Sequence, residues 1–342
     1  MTVKTFGSNG FSQYILTLTL YEHLSSFKRV GLKIPSREFV EKIEDGVTQR
    51  IKKSFEGSRS VVEVIHFTDF CDEIVSAARV IKAQMPDAVV ITTTPMISSD
   101  SNGICIGLSR LIDINGELIS IGSRAGFPSI STQIKNISAD VSGKRVIILD
   151  DGSFTGSTLC FMIDQLSKQR AEVSAVIVGI LFPEARERLQ ETFKGELVHR
   201  YHFEKPYDWM PSHDFFPFIP NSGRVIGTKI GDTLIPFRHS DRSTMSKPYI
   251  LPYGKLEKWA GLQMSQDELI WLSQFCITGS TEIFQEMEKI NGRTIKVGDL
   301  ILTDTSPVTS VPVAFGRERV DFYTLGDRVV DLLNSDYALL VT

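Results

Sequence analysis

Val146-Ile147-Ile148-Leu149-Asp150-Asp151-Gly152-Ser153-Phe154-Thr155-Gly156-Ser157-Thr158-Leu159 is the stretch whose reading decides the fold. Its four leading apolar residues read as a strand covered on both faces. They deliver two adjacent carboxylates to the strand's end, where Gly152, Ser153 and Phe154 lead into a small, hydroxyl-rich turn that opens a helix. Thr155, Gly156, Ser157 and Thr158 would present consecutive backbone N–H groups and three hydroxyls at that helix N-terminus, which is a cradle for a phosphate dianion. Gly156 lets the backbone approach closely. Asp150 and Asp151 lie within about one sugar's width of the cradle, where carboxylates accept hydrogen bonds from vicinal ribose hydroxyls. The combination reads as a grip for a ribose 5-phosphate.

Upstream, Ala88-Val89-Val90-Ile91 is a second covered strand and runs into Thr92-Thr93-Thr94-Pro95. Residues 103–111 read as a short helix and 117–121 as a strand. The Gly-, Ser- and Pro-rich stretch from there to residue 142 reads as a long candidate mobile loop. Downstream come a helix over 158–168, a strand over 173–181 and a helix opened by Pro183. Strands alternating with helices predict an α/β fold, a mostly parallel open sheet flanked by helices in a Rossmann-like layout. Such sheets bind ligands beyond the carboxyl ends of their strands.

The flanks read differently. Residues 14–24 and 68–84 suggest helices, the second capped by Thr68 or Asp69. A helix over 36–55 carries Phe39, Val40, Ile43, Val47, Ile51 and Phe55 at helical spacing. Residues 203–242 are rich in aromatics and Pro, and Ser265-Gln266-Asp267-Glu268 is a capping box. Short strands near 300–302 and 311–313 and a terminal helix complete the reading. The expected division is a mainly helical N-terminal extension over 1–85, a core with a hood over 86–240, and an α+β C-terminal extension over 241–342.

The 342 residues carry 37 Lys+Arg against 41 Asp+Glu, a net charge of −4, with 42% hydrophobic residues. That is a globular composition with room for two domains. It lacks the basic excess that drives nucleic-acid wrapping, which disfavours that role while leaving room for a local patch. Cys71, Cys105, Cys160 and Cys276 form no C-x-x-C pair, so neither zinc nor a disulfide framework is expected. A reducing cytoplasm fits. The N-terminus shows no signal-peptide pattern, no stretch approaches the ~20 apolar residues of a membrane span, and the sequon at Asn136 is assigned no role.

The 146–159 stretch resembles the phosphoribosyl pyrophosphate (PRPP) signature of the type I phosphoribosyltransferases: a hydrophobic strand, two acids, three variable positions, then Thr-Gly-Gly/Ser/Thr-Thr. The Walker lysine is absent and no G-x-G-x-x-G occurs, so kinase and nicotinamide readings lose support. The resemblance covers about residues 86–240. It implies Mg²⁺-dependent transfer of the ribose 5-phosphate of PRPP to a nitrogenous base, with release of pyrophosphate. It further implies that Asp150 and Asp151 are the catalytic pair orienting the ribose, with either a candidate Mg²⁺ ligand beside the pyrophosphate. Residues Gly152, Ser153, Phe154, Thr155, Gly156, Ser157 and Thr158 then hold PRPP. Thr93 and Thr94 match the pyrophosphate loop, and Arg124, on a flexible loop over 123–137, and Arg224 are further pyrophosphate candidates. Trp209, His213, Asp214 and Phe215 match the base-binding hood, although any one aromatic residue there reads more readily as core. Partners are PRPP and a nucleobase or nucleotide, and the extensions leave room for a homo-oligomer or a protein partner.

One position departs from the pattern. The 6-oxopurine branch of the family places a proton-exchanging acid immediately before the Thr-Gly step, and here that residue is Phe154. A phenyl ring is neither acid nor base, so hypoxanthine or guanine salvage is disfavoured. The alternative is a regulator or effector on the same core, for example in a bacterial defence cassette, that binds PRPP or a nucleotide without ordinary base salvage. A PRPP synthetase would need two copies of the core, and one signature is present.

Overall fold

The structure, a computed structural model, describes residues 3–6, 10–101, 103–124, 127–230, 233–237, 245–254, 260–300, 311–312 and 324–341. The strands are β1 (Lys4–Phe6), β2 (Ser12–Leu18), β3 (Ser60–His66), β4 (Val89–Thr92), β5 (Ile104–Cys105), β6 (Leu108–Ile112), β7 (Leu118–Ser123), β8 (Arg145–Ser153), β9 (Glu172–Leu181), β10 (Glu196–Phe203), β11 (Pro206–Pro211), β12 (Arg224–Ile230), β13 (Thr233–Pro236), β14 (Met245–Lys247) and β15 (Val311–Pro312). The helices are α1 (Leu20–Ser25), α2 (Arg37–Ser54), α3 (Phe67–Gln84), α4 (Pro95–Ser101), α5 (Ile130–Val141), α6 (Ser157–Lys168), α7 (Pro183–Thr192), α8 (Gln266–Asn291) and α9 (Val329–Ala338). Among the described residues no helix is long and apolar enough to cross a membrane.

The chain forms two units: 1–14, 65–108 and 128–207 in the first, 15–64, 109–127 and 208–342 in the second. The first unit holds a sheet of order β1-β10-β9-β8-β4-β5, and its pairings are parallel. Val146, Ile147, Ile148 and Leu149 are fully buried in β8, between β9 and β4. Parallel pairing demands crossovers, which α6 and α7 supply. α3 packs against β8, β9 and β10. β1 pairs with β10, so residues expected in a helical extension close one edge of this sheet.

Three local readings change. Residues 104–105 and 108–112 are strands, not a helix, and β5 continues the sheet beside β4. The expected loop holds α5, capped by the Ser129 hydroxyl, which accepts from the Thr132 N–H at 3.2 Å. Its buried stripe is Gln133, Ile134, Ile137 and Val141, and Gln133 turns inward to pair with both backbone groups of Gly107. α3 starts one residue earlier than expected, after His66, and neither Thr68 nor Asp69 caps it.

The second unit contains α1, α2, α8 and α9 and a sheet of order β15-β14-β12-β6-β7, with β13 on β12. The order β11-β2-β3 forms a further small sheet. Of residues 14–24, expected in one helix, 14–18 lie in the strand β2 and the helix α1 begins only at Leu20. α8 opens with the expected capping box and packs on α2 and α9. Leu300 ends a 3₁₀ turn; Ile301, Leu302 and Val313, expected in strands, lie outside the described residues.

Candidate functional site

β8 runs on through both acids to Ser153, so Asp150 and Asp151 belong to the strand itself, Asp150 in register with Val178 of β9. Gly179, the next residue of β9, stands where a Cβ would lie 2.4 Å from the Phe70 ring and 2.6 Å from the Asp151 carbonyl. Only a glycine lets α3 pack this close to the acidic pair.

Asp150 is buried, and one of its oxygens accepts from the hydroxyls of Thr93 and Thr94 and from the Asp151 N–H, the last at 3.0 Å. Burial first, and then the Asp151 charge, push its carboxyl well above the usual range, against the two threonine hydroxyls. Asp151 is half-buried and accepts from the Gly152 N–H at 2.9 Å. It is the more accessible acid of the two. A hard cation takes one or two carboxylates together with phosphate and water oxygens. Asp151 fits that donor set better than Asp150, whose oxygen already takes three donors. Thr93 and Thr94 are themselves buried; the Thr93 N–H goes to the Leu149 carbonyl and the Thr94 N–H to the Thr92 hydroxyl. Their donors therefore hold Asp150 and close the loop.

The turn after β8 ends at Gly156, whose φ of 76° is left-handed and whose Cβ position lies 3.2 Å from the backbone of Ala185 on α7. α6 starts there without a side-chain cap. A helix leaves its first four N–H groups without intrahelical acceptors, and the dipole adds positive potential at that end. The Thr155 and Ser157 hydroxyls meet at 2.9 Å, and Arg188 of α7 donates to the Ser157 hydroxyl. Arg188 also reaches Glu184 at 3.2 Å. This cation at the cradle's mouth was not singled out in the sequence, where its i,i+4 spacing from Glu184 reads as an ordinary solvated face. The Phe154 ring leans on Phe182, centroids 4.7 Å apart.

The remaining candidates fall in the second unit. Phe215 is fully buried core. Trp209 donates its indole N–H to the Thr17 hydroxyl. Asp214, also buried, accepts from the Gly223 N–H at 2.8 Å and from Arg224 at 3.2 Å. The His213 ring stacks on His23 at 3.5 Å, with Nδ1 2.9 Å from the Thr19 hydroxyl and Nε2 3.4 Å from Asp214. His23 Nδ1 lies 2.8 Å from the Pro220 carbonyl, which only accepts, so that nitrogen carries hydrogen. Burial, and with it the Arg124 charge, hold both imidazoles well below their usual range. The structure thus gathers Thr93, Thr94 and 150–158 in one unit and Arg124, Trp209, His213, Asp214, Phe215 and Arg224 in the other. Among the described residues no group of three or more His, Cys, Asp or Glu could hold a metal ion.

Residues 105–200 match the family described as the phosphoribosyl transferase domain. The match takes in β8, the cradle and Arg188, and leaves out Thr93, Thr94 and everything after residue 200. Among solved structures, the adenine phosphoribosyl transferase of Trypanosoma brucei, in complex with AMP, pyrophosphate and ribose-5-phosphate, is 14% identical with a TM-score of 0.27, covering 40% of this chain and 64% of that one. The Leishmania donovani adenine phosphoribosyltransferase is 17% identical with a TM-score of 0.27, over 40% and 64%. The purine phosphoribosyltransferase of Pyrococcus horikoshii Ot3 is 20% identical with a TM-score of 0.28, over 42% and 87%. The chain thus spans a little under two thirds of the length of the trypanosomal and leishmanial enzymes. What bears on function is the family match, since likenesses this distant do not.

Proposed function

We propose, from the match of residues 105–200 to the phosphoribosyl transferase domain, that the chain binds PRPP at the start of α6 and transfers its ribose 5-phosphate to a nitrogenous base. Pyrophosphate is the leaving group. The observation that carries this is the first turn of α6, opened at Gly156 without a side-chain cap, a short turn after the acidic pair near the end of β8. In this reading the 5-phosphate sits on the N–H groups of that turn and the hydroxyls of Thr155, Ser157 and Thr158, with Arg188 as counter-charge. Asp151 accepts from the ribose hydroxyls, and Asp150, anchored by Thr93 and Thr94, sets the position of Asp151 through its N–H. Mg²⁺ arriving with the pyrophosphate would rest on Asp151 and supply neutralisation of the leaving group. Most of the acceleration then comes from positioning and fixed dipoles, and no protein acid or base is required.

A second reading, a PRPP or nucleotide sensor without turnover, is favoured by Phe154. Its ring is packed on Phe182 and offers no proton-exchanging group where one branch of the family uses an acid. Calorimetry with PRPP, followed by a pyrophosphate-release assay across a panel of bases, tests both. Binding with turnover supports the transferase, and binding without turnover supports the sensor. In either case Asp151→Asn should weaken PRPP binding at least tenfold, and binding unchanged in that variant would sink the site.

A further inference from the structure

The second unit carries a row of cations that the reading above does not use. β6, β12 and β14 are neighbours in one sheet. The parallel register Val225↔Leu111 sets Arg224 beside Arg110, and the antiparallel register sets Arg224 opposite Lys247. Like charges directly opposite each other destabilise a sheet, so three in a row call for compensation. The chain supplies only part of it. Asp214 reaches Arg224 at 3.2 Å, and the buried Lys247 amine, which burial lowers to about 7, donates to the Ile114 carbonyl. Arg110 is exposed and makes no direct ion pair among the described residues, the charges of Asp208 and Asp214 acting on it from a distance. The Nε of Arg224 is buried without a hydrogen-bond partner, while its guanidinium lies 4.8 Å from the ring centre of Tyr249.

Arg110 and Arg224 line a pocket of about 390 Å³, whose other walls include Tyr249, Ile112 and Leu118. Among the described residues Glu117 is the one acid of the lining and would confine an anion to the arginine side. We propose that this pocket binds a small phosphomonoester with a planar apolar body, the chemistry a nucleoside monophosphate presents. The phosphate bridges Arg110 and Arg224, whose planar forks match its oxygens, and the body lies against Tyr249, Ile112 and Leu118. No residue of this pocket belongs to the α6 cradle, so the inference stands apart from the PRPP reading.

The test is calorimetry with AMP on the full chain carrying Ser157→Glu, which places a carboxylate in the cradle and leaves the second-unit pocket intact. AMP should still bind, and adding Arg110→Gln should weaken binding at least tenfold with the unfolding temperature unchanged, since Arg110 is exposed. Arg110→Lys, which keeps the charge without the fork, should fall between. Loss of all AMP binding on Ser157→Glu alone, no effect of Arg110→Gln, or adenosine binding as tightly as AMP would each overturn the proposal. Failure of the wild-type chain to bind PRPP would strike the cradle alone.

Discussion

The start of α6 and the polar network around Glu44 are built from the same materials, hydroxyls beside a buried acid, yet they end differently. Around Glu44 the carboxylate is taken up inside the unit: Glu44 accepts from the N–H groups of Thr19 and Leu20, each at 3.0 Å, and from the Ser212 hydroxyl. Thr19 passes the chain to His213, and His213 to Asp214 and Arg224. At α6 the hydroxyls meet one another and Arg188, and Thr155 accepts from the Ser157 N–H at 3.4 Å, while Gly156 offers no side-chain cap to the rest of the first turn. A network closed on itself fixes structure; one that stops short of its last donors is where a ligand completes it. By that measure His213 and Asp214 are held by the protein's own groups, and the proposed site lies at the 150–158 turn.

The largest expected effect tests the closed network. Burial, chiefly, raises Glu44 from 4.5 to about 7, against the hydrogen bonds it accepts. Between those values the folded chain keeps a proton that the unfolded chain has released. The group's contribution is therefore full below 4.5 and is lost as pH rises through 7. Glu44→Gln keeps the carbonyl acceptor and removes the ionisation. The stability of the wild type relative to this variant should then fall by about 3 kcal/mol between pH 4.5 and 7, followed by denaturant unfolding. His23 and His213 titrate in the opposite sense in both proteins and cancel in the difference. A flat difference would mean that the network does not hold Glu44 as described.

Next in size is Gly156→Val at the open end. The left-handed φ of 76° and the Ala185 backbone 3.2 Å from the Cβ position leave no room for a β-branched side chain. The strain should cost roughly 1–2 kcal/mol of stability. PRPP affinity should drop at least tenfold, because the turn that aims the first N–H groups of α6 must shift. Stability lost with affinity intact would detach the turn from the ligand and erase the contrast with the Glu44 network.

The same contrast explains what the sequence could tell. The β8 strand, the acids and the turn into α6 are consecutive, and local period and turn chemistry reveal them. α5 was hidden because its buried stripe begins with Gln133, whose inward bonds to Gly107 cross 26 residues. β1 was hidden because three residues near the N-terminus carry no signal that they will pair with β10. The partners of Thr93 and Asp214 could not be read for one reason: residue type announces a donor or an acceptor, but only the fold decides which protein group it meets. Arg224 was assigned to pyrophosphate, and the structure places it against Asp214 and Tyr249 in the second unit.

The smallest effect is expected at Arg188, and it separates the open end from the closed one most finely. The side chain is 41% exposed and its pair with Glu184 is an i,i+4 surface bridge, worth about 0.3–0.5 kcal/mol at most. Arg188→Ala should therefore leave unfolding almost unchanged. The bond it donates to the Ser157 hydroxyl puts its charge at the cradle's mouth, where a phosphate would gain a charge-assisted partner. PRPP and ribose 5-phosphate should both bind about three- to tenfold more weakly to this variant, and Arg188→Lys should recover part of the loss. Equal affinity in all three proteins would mean that Arg188 merely decorates α7. A loss for PRPP but not for ribose 5-phosphate would move its partner from the 5-phosphate to the pyrophosphate.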